Sequence, residues 1–171
     1  MQKLIILRGY PASGKSTIGE ALESAGIGVF VDHNRILSFI AGMTGDDEGI
    51  YDDIHQLELA MTRKLLVDGK SAIVARGFTK ADSVEPYRTL AVNKGVPFNI
   101  FRLDGSVELL EKRVVAPERK HGFNPSTNIE ALRIWIEENP MDSIDNEIVL
   151  DVSQPVDSLT RIIRKNLENV G

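Results

Sequence analysis

Residues 9–16 read Gly-Tyr-Pro-Ala-Ser-Gly-Lys-Ser, with Thr17 next, and they follow the apolar run of residues 4–7 after a single arginine. This G-x-x-x-x-G-K-S spacing between a strand and a helix constrains the chain more than any other feature. Gly9 and Gly14 let the backbone wrap closely, so that successive N–H groups, through Pro11, Ala12 and Ser13, converge on phosphate oxygens. A helix starting near Lys15 adds the positive end of its dipole. Lys15 is expected to reach the β and γ phosphates of ATP, and the Ser16 hydroxyl to ligate Mg²⁺. The plainer alternative is a glycine-rich turn with an exposed lysine. At average residue frequencies the full pattern arises by chance in fewer than about 1% of chains this long.

The rest of the chain supplies a matching framework. Short apolar runs at residues 4–7, 29–31, 72–75, 98–103 and 148–150 read as strands, most of them too uniformly apolar to have one face in water. Amphipathic stretches lie between them. Ile50, Ile54, Leu57, Met61 and Leu65 predict one buried helical stripe, and Val156, Leu159, Ile163 and Leu167 another. Val107, Leu110 and Val114, and then Ile129, Leu132 and Ile136 around a core Trp135, predict two more helices. Strand–helix alternation without repeats implies one α/β domain over residues 1–171, with ligands at the carboxyl ends of parallel strands. The 20 basic and 25 acidic residues give a net charge of −5, which excludes a protein coated in positive charge but leaves room for one local nucleic-acid contact. Cysteine is absent, so disulfides and thiolate chemistry are excluded. A mean hydropathy of −0.11 and the lack of long apolar runs predict a soluble, cytoplasmic protein without a membrane span.

The second strand bears on what happens to the γ-phosphate. It ends at Asp32, and Arg35 follows three residues later, so both are expected to face the crevice of the phosphate loop. With the phosphate loop in place, Asp32 reads as general base on an acceptor hydroxyl, with Arg35 holding the acceptor; the alternative is that Asp32 caps the helix that begins there. A guanine-reading N-K-x-D is missing, since residues 93–96 end in Val96, and the third strand ends in Arg76 instead of an acidic residue. Both features speak against a switch or a motor.

The phosphate loop followed by Asp32-x-x-Arg35 resembles the kinase domain of bacteriophage polynucleotide kinases and related small P-loop kinases. The resemblance implies a P-loop NTPase-type five-stranded parallel sheet with helices on both faces and a mobile lid. It also implies Asp32 as the base and Arg35 on the acceptor side. The basic stretch broken by Pro117, Gly122 and Pro125 is the lid, at about residues 116–127. Arg113 and Arg119 resemble the family's lid arginines, which neutralise the transferred phosphoryl group; a solvated helix end is the alternative for Arg113. Many relatives carry an acidic residue where Arg76 stands, and Arg76 is therefore a candidate for binding the acceptor. Residues 119–125 are also similar to small-molecule kinases of the gluconate-kinase type.

The histidines His33, His55 and His121 are too scattered for a metal site. Residues 151–155 lie near the adenine by analogy, or else form an ordinary turn. The sequence thus predicts an ATP- and Mg²⁺-dependent kinase whose preferred acceptor is a nucleic-acid hydroxyl, at a 5′ end or on a modified base. Its alternatives are a small-molecule kinase for a sugar acid, nucleoside or antibiotic, and a nucleotide-dependent binding module or ATPase.

Overall fold

The computed structural model describes residues 1–44, 51–116 and 128–168. The five apolar runs form five strands: β1 (Leu4–Gly9), β2 (Val29–Asp32), β3 (Ala72–Arg76), β4 (Phe98–Asp104) and β5 (Ile148–Asp151). All pair in parallel, in the order β2-β3-β1-β4-β5. The helices are α1 (Lys15–Ser24), α2 (His33–Thr44), α3 (Tyr51–Val67), α4 (Glu85–Lys94), α5 (Val107–Val114), α6 (Ile129–Glu138) and α7 (Val156–Glu168).

The central strand shows why the sheet needs cover on both sides. Every residue of β1 is buried, and successive side chains leave on opposite faces. Ile5 and Leu7 pack with Ile18 and Leu22 of α1 and with Leu159, Ile163 and Leu167 of α7. Leu4 and Ile6 pack with Leu66 of α3 and with Tyr87, Leu90 and Ala91 of α4. The expected fold class is therefore the observed one. No helix among the described residues is long and apolar enough to cross a membrane.

Three expectations are corrected here. The stripe on α3 is rotated: Ile54, Glu58, Thr62 and Leu66 are buried, whereas Leu57 and Met61 are 43% and 45% exposed. Ile50 lies outside the described residues. The spacing of apolar residues misled because two of the four buried positions are polar, and a periodicity of hydrophobes cannot register them. Val107, Ile129 and Val156 begin their helices largely exposed, and the buried stripes start one turn later. Trp135 is half-buried; it meets the Tyr10 ring edge-on, with centroids 5.9 Å apart at 88°, and belongs to the wall of a cleft.

One buried polar network lies beneath the site. Arg8, the last β1 residue before Gly9, is fully buried, and its guanidinium donates to Glu147 Oε2 at 2.8 Å and to the Asp142 carbonyl at 2.8 Å. Burial pulls its pKa below the usual arginine value, while Glu147 opposes that shift. Arg102 joins from β4, 3.2 Å from Glu147 Oε1. The segment before β5 is thereby fixed against the sheet. It in turn holds the loop after β3, where Asp142 N–H donates to the Thr79 carbonyl at 2.8 Å and Ala81 N–H to Asp142 Oδ2 at 3.0 Å.

Candidate functional site

The phosphate loop leaves β1 at Gly9 and enters α1 at Lys15. Its turn needs left-handed backbone at Gly14 (φ 93°) and at Ala12 (φ 64°). A side chain on Gly9 (φ 154°) would bring its Cβ to 2.5 Å from the Leu103 carbonyl oxygen and 2.8 Å from Ser13 Oγ, so only glycine fits. Lys15 Nζ donates to the Gly9 and Tyr10 carbonyls, at 2.9 Å each, which keeps the ammonium group over the loop. Ser13 Oγ is buried without a hydrogen-bond partner, and Gly14 to Thr17 line the cleft. An orphaned hydroxyl, a left-handed backbone turn and a lysine at a helix N-terminus fit the phosphates of a nucleotide. Ser16, the second residue of α1, lines the cleft, and its hydroxyl is the protein oxygen that could hold a phosphate-bound Mg²⁺. Among the described residues no group of three or more histidine or acidic side chains is arranged to hold a metal ion on its own.

Arg113 spans the loop from α5. Its NH2 donates to the Val152 carbonyl at 2.6 Å, and NH1 lies 3.5 Å from the Ser13 carbonyl. The expected lid arginine therefore stands at the phosphate loop and ties it to the turn after β5. From that turn Val152 and Gln154 line the same cleft, which brings part of residues 151–155 to the nucleotide side. Asp151 itself faces solvent; its carboxylate accepts from Ser153 N–H at 2.9 Å, which holds its pKa below the usual carboxylate value. Arg119 and His121, with all of the expected lid except Ala116, lie outside the described residues.

Asp32 ends β2 with 7% exposure and, contrary to expectation, does not itself line the cleft: its carboxylate turns back onto the α2 backbone, and His33 and Asn34 form the wall there. Its Oδ1 accepts from Asn34 N–H at 2.9 Å, the contact expected of a helix-capping aspartate. Its Oδ2 lies 3.8 Å from Arg35 Nε. Burial holds the carboxyl above the ordinary carboxylate range, against the lowering effects of Asn34 N–H and Arg35. Arg35 departs from expectation. It does not line the cleft but turns to α1, where NH2 meets Glu20 Oε1 at 2.9 Å, and its guanidinium stands 5.7 Å from the Phe30 ring centroid. Two α1 carboxylates, Glu20 and Glu23, and one aromatic face together outcompete the crevice.

Arg76 does reach the cleft, in company that sequence reasoning missed. Its NH1 meets His55 Nδ1 at 2.7 Å and lies 3.6 Å from Glu58 Oε2. Glu58 is fully buried on α3, and its Oε1 meets His33 Nδ1 at 3.2 Å. Two histidines 22 positions apart thus converge on one carboxylate, although they form no metal site. The signal in the sequence was Glu58 itself, a charged residue four positions after Ile54 on the inward face. The cleft that joins this cluster to the phosphate loop has a volume of about 1170 Å³.

Several solved structures share this fold. A kinase candidate from Chloroflexus aurantiacus superposes with a TM-score of 0.77 at 16% identity, covering 96% of this chain and 97% of its own. A sugar kinase from Janibacter sp. HTCC2649 gives 0.68 at 20% identity, over 98% and 95% of the two chains. A gluconokinase from Sinorhizobium meliloti 1021 gives 0.63 at 22% identity, over 93% and 87%. No curated protein sequence matches the chain. These likenesses give the fold, and nothing in them singles out the phage polynucleotide kinases. By sequence, residues 4–138 match the AAA domain family, a span that runs from β1 through the phosphate loop to the end of α6, and the chain belongs to that family.

Proposed function

We propose that the chain is a kinase that transfers the γ-phosphate of ATP to a hydroxyl group of a small molecule. The observation that carries this reading is the joined cleft. Its volume of about 1170 Å³ exceeds the roughly 300–1,000 Å³ usual for one ligand, leaving room for donor and acceptor together. Backbone N–H groups of the phosphate loop and Lys15 hold the donor's phosphates and stabilise the charge that develops on them. Mg²⁺, bound with the nucleotide, supplies further neutralisation, with Ser16 as its protein ligand. Asp32 takes the proton of the acceptor hydroxyl as its oxygen attacks the γ-phosphorus and the bond to the bridging β–γ oxygen breaks, releasing ADP. A carboxylate of raised pKa suits that role, since its basicity lies nearer working pH. Arg113 is assigned to the donor side. Arg119, from the resemblance alone, is assigned to the transferred group.

The acceptor assignment departs from the sequence reading. With a net charge of −5, a nucleic-acid acceptor would need a local basic patch, for which the sequence offers Arg35, Arg76, Arg119 and Lys120. Of the two described members, Arg35 turns away to α1 carboxylates, and only Arg76 lines the cleft. They form no track for a phosphate backbone. The sugar kinase and gluconokinase of like fold agree with a small acceptor.

Labelled ATP offered with sugars, sugar acids, nucleosides, aminoglycosides, 5′-hydroxyl oligonucleotides and hydroxymethyl-base DNA tests the proposal. Label is expected in a small molecule. Label confined to oligonucleotides would restore the nucleic-acid reading, and phosphate release with every acceptor ignored would indicate an ATPase or binding module.

A further inference from the structure

We infer that the acceptor carries an anionic group, a carboxylate, phosphate or sulfate, and that Arg76 binds it while Glu58 and His55 act as positioning residues. The inference rests on the kinase reading for the word acceptor, but the anion site is argued from its own geometry.

Arg76 is the last residue of β3, the strand beside the phosphate-loop strand, and it lines the cleft with His33, His55 and Lys80. Its guanidinium is held along one edge and one face. NH1 takes both polar contacts, to His55 Nδ1 and to Glu58 Oε2, and the Phe78 ring centroid lies 6.0 Å from Cζ. Guanidinium has donors only, so His55 Nδ1 accepts and carries no proton in this contact. Among the described residues NH2 and Nε have no such contact, which leaves a fork suited to a bidentate oxyanion.

The carboxylate behind this arginine is not arranged for stability alone. Glu58 is fully buried and does not line the cleft, so the cleft faces the cation and not its counter-charge. Glu58 Oε2 accepts no hydrogen bond, and the buried Tyr87 hydroxyl has no partner either. A buried ion pair offsets its desolvation only when its geometry is good and its remaining lone pairs are satisfied. Here only Glu58 is fully buried, Arg76 is 31% exposed, and a separation of 3.6 Å with an orphaned oxygen does not meet those conditions. Unsatisfied buried groups of this kind call for a functional account. Holding Arg76 at a fixed angle supplies one, and His33, on the other carboxylate oxygen, fixes Glu58 in turn. A neutral acceptor seated here would strip water from the guanidinium and return no charge. The site therefore discriminates against it.

The experiment compares matched acceptor pairs with labelled ATP: gluconate with glucitol, glucose 6-phosphate with glucose, shikimate with its methyl ester, and a nucleoside 3′-phosphate with the nucleoside. In any pair that is used, the charged member is expected to have a kcat/KM about 10–150-fold higher, the span of a charged hydrogen bond. Arg76→Met should raise the KM for that member by a similar factor and erase the preference, leaving kcat and the KM for ATP nearly unchanged. Arg76→Lys should recover part of the loss. Glu58→Gln, of equal volume, and His55→Asn, which leaves Glu58 in place, should each give a smaller rise confined to the acceptor KM. Equal use of both members, an unchanged KM in Arg76→Met, or label entering oligonucleotides only would overturn the inference. Calorimetry separates the two claims, using protein loaded with Mg²⁺ and a non-hydrolysable ATP analogue and titrated with gluconate or glucose 6-phosphate. Binding that depends on Arg76 without any transfer would keep the anion site and remove the kinase. Transfer without charge preference would keep the kinase and remove the anion site. Neither binding nor transfer would remove both.

Discussion

The two ends of the cleft are built in opposite ways. The phosphate loop is one continuous segment, residues 9–17, whose groups reach their positions through local backbone geometry. The Arg76 end draws on four separate segments: His33 from α2, His55 and Glu58 from α3, Arg76 from β3 and Tyr87 from α4. In the first, neighbours in sequence are neighbours in space, so substitutions should act on chemistry with little effect on the fold. In the second, tertiary packing holds the groups, and function and stability are harder to separate. Donor binding is thus robust and generic, while acceptor binding depends on how a helix and a strand happen to be juxtaposed.

The largest effect expected is at Lys15. Lys15→Met should lower phosphate transfer by about 10³–10⁵-fold, the scale of a cation acting on the transferring phosphoryl group. Thermal unfolding should stay near wild type, because Lys15 lines the cleft and its ammonium group is held by two loop carbonyls. Near wild-type turnover in a folded variant would break the donor half of the comparison. Asp32 comes next, at the boundary between the two ends. Asp32→Asn keeps the size and much of the capping capacity and should cost about 10²–10⁴-fold in kcat with little change in ATP affinity. The pH profile gives a second readout. Burial raises the Asp32 pKa, so the base is protonated, and the rate lost, at a higher pH than for an ordinary carboxylate. The acidic limb should therefore lie above about 4 in wild type and vanish in Asp32→Asn. Linkage works in the opposite sense for stability. A carboxyl with a raised folded pKa favours the fold most when protonated, and that contribution fades as pH rises through the folded pKa. A collapse of ATP affinity in Asp32→Asn would make the residue a cap or part of the metal surroundings.

The same contrast explains what could be read from sequence. Most strands were legible because their apolar runs are buried on both faces, although Val149 on the edge strand β5 is exposed, and the loop was legible because its glycines and lysine have fixed spacing. Glu58 was not legible. Helical periodicity was read from hydrophobes, and α3 buries Glu58 and Thr62 while leaving Leu57 and Met61 outside. The position of Arg35 was missed for a related reason. Its offset from Asp32 specifies a helix face, but Glu20 and Glu23 on α1 decide which way a long side chain turns. Trp135 looked like core because its spacing is right; only the tertiary fold shows Tyr10 beneath it.

The corrected face of α3 yields the third prediction. Ile54 is fully buried, and Ile54→Ala should destabilise by about 2–5 kcal/mol. Met61→Ala, on the face that sequence periodicity wrongly placed inside, should stay within about 0.5 kcal/mol. Denaturant titration with unchanged m-values measures both. Equal losses at the two positions would return the helix to the orientation read from its hydrophobes, and would take Glu58 away from Arg76.

The smallest effect is expected at Arg35, and it tests whether the acceptor end is confined to the Arg76 cluster. Arg35 is 56% exposed, and its nearest partner, Glu20, is 42% exposed. A pair so open to solvent is worth only about 0.2–1 kcal/mol, less at high salt. Arg35→Ala should therefore lower stability by that amount or less. Asp32 loses a cation 3.8 Å away, so its carboxyl should move slightly further up and carry the acidic limb of the rate profile with it. The acceptor KM should stay within about twofold, because Arg35 already spends its charge on α1 and the neighbouring aspartate rather than on the cleft. A tenfold rise in acceptor KM would show that Arg35 leaves Glu20 when acceptor binds. The acceptor end would then extend along α2, and a longer, multiply charged acceptor, nucleic acid included, would again fit the chain.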